Sequence, residues 1–111
     1  MSAEMLKGHL DAVILATVAD GALHGYAIIE AIRSRSGGHF DLPEGTIYPA
    51  LHRLELAGLL GSRWIQPDGG RKRRVYALTD GGRESLADRR SGWADFAEGI
   101  DRLLGPRACP T

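Results

Sequence analysis

Sulfhydryl and aromatic side chains are scarce in this chain: 111 residues hold one cysteine, two phenylalanines, two tryptophans and three tyrosines. A lone cysteine, Cys109, excludes an internal disulfide framework and fits a reducing cytoplasm, the expected location. No apolar run approaches the roughly 18 to 20 residues that a membrane span requires, so no membrane partner is expected. The opening MSAEMLKGHL lacks a basic segment followed by an unbroken apolar stretch, so no signal peptide is expected. Chemistry-bearing motifs are missing too: there is no P-loop, no GxGxxG after a strand and no GxSxG elbow. Ser36, His39 and Asp41 are close in sequence, but nothing supplies the oxyanion donors a triad needs. His9, His24, His39 and His52 show no paired ligand spacing, so neither metal nor cofactor is expected, and the chain does not read as an enzyme.

What is present suits one soluble domain: 43% apolar and 25% charged residues exclude a disordered tail. The formal charge is zero, from 14 basic and 14 acidic side chains. It is unevenly spread: residues 1–32 carry net −3, residues 33–74 net +4 and residues 75–111 net −1. The cations crowd at Arg71, Lys72, Arg73 and Arg74. A local basic patch attracts phosphates whatever the total charge, although a solvated loop would look the same by charge alone.

Periodicity predicts helices over Met5 to Ala19, from about Gly25 to Ser36, and from Pro43-Glu44 to about Ala57, each stopped by glycine-bearing turns. The period then changes to two. Residues 61–66 and 73–78 read as strands joined by the turn Pro67-Asp68-Gly69-Gly70. Thr79-Asp80 caps a last helix reaching about Leu104. The expected fold is therefore mainly α with a small antiparallel hairpin. It is a winged helix-turn-helix head over residues 1–79, a long C-terminal dimerisation helix over 80–105, and a tail over 106–111.

On the third helix Ile47, Leu51, Leu54 and Gly58 form one stripe, the core face. Gly45, Thr46, Tyr48, Pro49, His52 and Arg53 lie opposite and carry the group types that meet base edges, thymine methyls and phosphates. Gly45 allows close approach of a phosphate to the helix start, and Pro49 should tighten or bend the first turns. Tyr48 could instead cover the core edge, and Arg53 could be an ordinary surface residue. On the last helix Leu86, Trp93, Ala97, Ile100 and Leu104 align, with Phe96 and Leu103 widening the stripe. A head with its own buried faces leaves this stripe for a second copy, so a symmetric homodimer is expected; folding back on the head is the monomeric alternative.

These residues resemble the PadR family of bacterial transcriptional regulators. The likeness rests on Lys7-Gly8-His9-Leu10-Asp11, Leu23-His24-Gly25-Tyr26, and Gly45-Thr46-Ile47-Tyr48-Pro49 with Leu51, Arg53, Leu54, Glu55 and Gly58-Leu59. It continues through Arg71-Lys72-Arg73-Arg74-Val75-Tyr76 with Leu78-Thr79 and Gly82-Arg83. The resemblance implies a dimer that binds a palindromic operator in double-stranded DNA, usually repressing transcription. Thr46, Tyr48 and Arg53 would belong to the reading helix and Arg71, Arg73 and Arg74 to the wing. Val75 and Lys72 depart from the aromatic and proline frequent there. Some similar proteins hold flat aromatic ligands at a tryptophan placed like Trp93, implying a small aromatic effector, while Trp93 as plain dimer core is the competing reading. The functional alternative is a winged-helix protein-interaction module that does not bind DNA.

Overall fold

One hydroxyl joins the hairpin to the last helix. Thr79 Oγ1 donates to the Gly58 carbonyl at 2.6 Å and accepts from the Gly82 amide at 3.0 Å, satisfying one of the free amides of a helix start. The computed structural model describes residue 6 and residues 8–105. Its elements are α1 (Leu10–Thr17), β1 (Leu23–His24), α2 (Gly25–Arg35), α3 (Glu44–Leu56), β2 (Leu60–Ile65), β3 (Arg73–Leu78) and α4 (Asp80–Leu104). The expected tail with Cys109, as well as Lys7, lies outside the described residues.

The first helix is shorter than its apolar pattern predicts. Gly8 has φ +92°, a left-handed conformation that separates Leu6 from the helix, yet Leu6 is still buried. α2 begins where His24 Nδ1 accepts from the Ala27 amide at 3.2 Å, a histidine acting as N-cap. α3 starts after Pro43, whose carbonyl accepts from both Thr46 N at 2.9 Å and Ile47 N at 3.2 Å. Such shared bonds are common at helix termini, and the helix continues through Pro49. Gly58, with φ +79°, ends it.

Beyond the expected hairpin, the sheet has a third strand and the order β1-β3-β2, all antiparallel. Leu23 pairs with Tyr76 and His24 with Val75. The extra strand makes β3 central, and Val75 and Tyr76 are accordingly both buried although neighbours in a strand face opposite ways. The core gathers Ile14, Leu15, Ile28, Ile32, Ile47, Leu51, Leu54, Leu60 and Leu78 between α1, α2, α3 and the sheet.

α4 divides into two parts. Its first turns belong to the head: Leu86 is 3% exposed and packs in the core. This corrects the expectation that Leu86 lies at a dimer interface, and the head's packed structure continues past residue 79. A side chain at Gly82 would overlap the Leu59 carbonyl oxygen, so glycine lets the helix approach the chain that enters β2. The 25-residue helix is about 37 Å long at 1.5 Å per residue, and its distal part carries the exposed apolar side chains. The molecule measures 54 × 29 × 24 Å with a radius of gyration of 15.6 Å, longer than the roughly 13 Å of a compact chain of this size.

Candidate nucleic-acid interface

The faces of α3 divide as its pattern dictates. Ile47, Ala50, Leu51 and Leu54 are buried, while Gly45, Tyr48, Pro49, His52 and Arg53 are exposed and Thr46 is half-buried. Tyr48 is a partly covered member of the exposed face. It is 42% exposed, yet its ring lies over Gly25, where an added Cβ would stand 2.5 Å from a ring carbon. The absence of a side chain at the start of α2 therefore makes the seat for an aromatic of α3, and two motifs distant in sequence form one surface. Arg53 is not free: its Nη2 donates to Asp11 on α1.

The wing separates its cations by strand alternation. Arg73 and Arg74 are adjacent, so they face opposite sides of the sheet. Arg74 pairs across to Trp64, on the face shared with Ser62 and Tyr76. Its Nη2 contacts Glu55 of α3 at 2.9 Å, its Nε donates to Ser62 Oγ at 2.8 Å, and Ser62 donates to Glu55. The guanidinium also lies 5.9 Å from the ring centres of both Trp64 and Tyr76. Burial, partly offset by Arg74, raises the Tyr76 hydroxyl above its ordinary range, so it stays protonated.

Arg73 lies on the other face, with Nη1 3.4 Å from His24 Nε2. His24 spends its Nδ1 lone pair on the Ala27 amide, so the neutral ring carries its proton on Nε2 and offers Arg73 no acceptor. Burial first, and the Arg73 charge second, push the His24 pKa below its ordinary value. Arg71 and Lys72 are exposed beside the turn Pro67–Gly69 and have no hydrogen-bond or ion-pair partner among the described residues. Arg63 of β2 is also exposed, and its side chain has no hydrogen-bond or ion-pair partner among the described residues.

Sequence reasoning missed four contributors: Asp11, Ser62, Trp64 and the bracing role of Glu55. The Asp11–Arg53 pair spans 42 positions, and no local pattern announces it. The expected strand limits, paired end to end, would set Trp64 against Val75; the observed register is shifted by one residue and sets it against Arg74.

On α4, Trp93 is 51% exposed and Phe96 54% exposed. They are not isolated: the Trp93 ring meets His9 edge-on at 5.1 Å and Phe96 at 5.7 Å. Ile100, Leu103 and Leu104 are exposed and Ala97 half-buried. No three His, Cys, Asp or Glu side chains are grouped to hold a metal among the described residues. No described helix is long and apolar enough to cross a membrane.

Three helices, a three-stranded sheet with a basic hairpin and a long final helix define a winged helix-turn-helix protein with the surface of a DNA-binding regulator. The model of the transcriptional regulator PadR-like family matches residues 14–88, and the chain belongs to that family. It is 40% identical over 87 residues to the transcriptional regulator Rv3488 of Mycobacterium tuberculosis, covering 78% of each chain. Its fold is similar to a transcriptional regulator of Clostridium thermocellum, with a TM-score of 0.84, 25% identity and 94% and 98% of the two chains covered. A PadR-like transcriptional regulator of Bacillus cereus is similar with a TM-score of 0.81, 28% identity and 95% and 100% covered. The family is one of transcriptional regulators, not of enzymes.

Proposed function

We propose that the protein acts as a homodimer that binds a palindromic operator and represses transcription. In this reading α3 enters the major groove with Gly45, Thr46, Tyr48, Pro49, His52 and Arg53. The wing follows the backbone with Arg71, Lys72 and Arg73, while Arg74 braces it. The observation that carries the reading is the joint surface itself: a polar face of α3 tied through Glu55 and Arg74 to a hairpin whose tip holds unpaired cations. An interface for an apolar partner has no need of such charge, whereas a duplex binds it by releasing counterions. Trp93, Phe96, Ala97, Ile100, Leu103 and Leu104 form the dimer contact, supported by their exposure along the distal part of α4.

A flat aromatic effector would bind at Trp93, whose half-exposed ring already meets His9 edge-on and Phe96 at a tilt, and would release the repressor. Selection of genomic fragments by the purified protein, then footprinting of the best, tests the DNA reading. Two protected half-sites centred about 34 Å apart, or a small multiple of that, are expected. Retention of no fragment above an unrelated duplex at moderate salt would refute it. Tryptophan emission and melting temperature unmoved by a chemically diverse aromatic panel would refute the effector.

A further inference from the structure

Asp11 lies on α1, outside the surface proposed to meet DNA, yet it holds the only lysine or arginine of α3. Its Oδ1 accepts from Arg53 Nη2, and its Oδ2 lies 3.9 Å from Nη2 of Arg89 on α4. Arg89 is itself steadied by Ser85, which accepts from its Nε at 3.0 Å. One carboxylate thus faces two guanidinium groups, one from the proposed reading helix and one from the helix that leads to the proposed dimer contact. The carboxylate is 24% exposed, while Arg53 is 58% exposed. A guanidinium has five N–H groups. Asp11 takes one of the two on Nη2, leaving the other beside Nε or Nη1 as a two-pronged edge.

We propose that Asp11 is a positioning residue for DNA reading, which rests on the assignment of α3 as the reading helix. Asp11 anchors the Arg53 fork and offsets its charge. Arg53 then contributes directed hydrogen bonds more than general attraction for phosphate. Because Arg89 shares the charge of the same carboxylate through its other oxygen, a shift of α4 changes how strongly Asp11 holds Arg53, giving the α4 side a physical route to the reading helix.

The test is fluorescence anisotropy with the full chain, on the selected operator and on an unrelated duplex of equal length, over a series of salt concentrations. Asp11→Asn frees Arg53 for one more phosphate. Binding to the unrelated duplex should tighten roughly five- to tenfold at 0.1 M salt, the log–log salt slope of the dimer steepen by about 1.8 (about 0.9 for each head), and the preference for the operator narrow. Asp11→Glu should restore the wild-type slope, and Asp11→Asn placed on Arg53→Ala should leave the slope of Arg53→Ala unchanged. In the DNA-free protein, the Arg53 Nε–H NMR resonance should move in both Asp11→Asn and Arg89→Gln. A wild type that binds no duplex refutes the DNA reading, and this role with it. A wild type that binds, with the Asp11→Asn slope unchanged or changed equally without Arg53, overturns this inference alone. An Arg53 resonance unmoved by Arg89→Gln overturns the link to α4.

Discussion

Glycine and histidine set the most exact constraints at the residue scale. At Gly25 a methyl group would meet the far end of the Tyr48 ring, which can rotate away. Gly25→Ala should therefore retain the fold while weakening operator binding, so melting and anisotropy should respond differently. At Gly82 the obstacle is the Leu59 carbonyl, which cannot turn aside. Gly82→Ala should cost about 1–3 kcal/mol by forced backbone movement, read as a lower urea midpoint. Gly81→Ala meets nothing closer than 3.6 Å and should be neutral or gain up to about 1 kcal/mol from helix propensity.

His24 adds a pH dependence whose sign follows from its depressed pKa. Above the unfolded value of about 6.5 the ring is neutral in both states and the cap is complete. Below it the unfolded chain takes up a proton that the folded chain resists, so stability falls as pH drops from about 6.5 toward the folded value. His24→Asn caps without titrating. The stability difference between wild type and this variant should shift against the wild type below pH 6.5 and stay level above it.

The wing decides the matter at the scale of elements. Four consecutive cations read as one patch in the sequence, but a strand turns alternate residues to opposite faces, and Arg74 is taken up by Glu55, Ser62, Trp64 and Tyr76. Arg71→Ala with Lys72→Ala should weaken binding to all duplexes alike and reduce the salt slope by up to about two for each head, about four for the dimer, with the melting temperature unchanged. Arg74→Ala should instead lower stability by about 1–2 kcal/mol, the sum expected of one exposed ion pair and its aromatic contacts. Arg74→Lys should fail to restore it, because a lysine lacks the fork that reaches Glu55 and Ser62 together. Full restoration by lysine would mean that Arg74 acts by charge.

The same contrast explains what was legible in the sequence. Helix limits at Gly58 and Thr79, the hairpin turn and the Ile47, Leu51 and Leu54 part of the α3 core stripe depend on neighbours in sequence and are where the pattern puts them, whereas Gly58 is exposed beyond the end of the helix. β1 escaped because two residues carry no alternation. Leu86 was misassigned because a helical projection gives the face and not which end of the helix is covered. Asp11 and Arg53 meet only once the helices pack.

At the scale of the whole molecule, the distal part of α4 carries the exposed apolar surface assigned above to the proposed dimer contact. Leu103 and Leu104 are each 82% exposed, and Trp93, Phe96 and Ile100 add to the same apolar surface. Exposed apolar patches of this kind mark association sites. The head core draws on α4 only through Gly82 and Leu86 near its start. A charge placed distally should therefore spare the head, and Phe96→Asp with Ile100→Asp should leave its helical signal intact while halving the mass seen by light scattering. Truncation should be made after Arg90 rather than after Thr79, since the earlier cut would remove Leu86 from the core. Separating the heads should then show in binding. Joined heads make the second half-site contact intramolecular, which multiplies affinity by about 10² to 10⁴ without any new contact. The charged variant should lose that factor on the palindrome and little on a single half-site. If the palindrome and the half-site lost affinity equally, α4 would be acting on the reading surface itself instead of joining two copies.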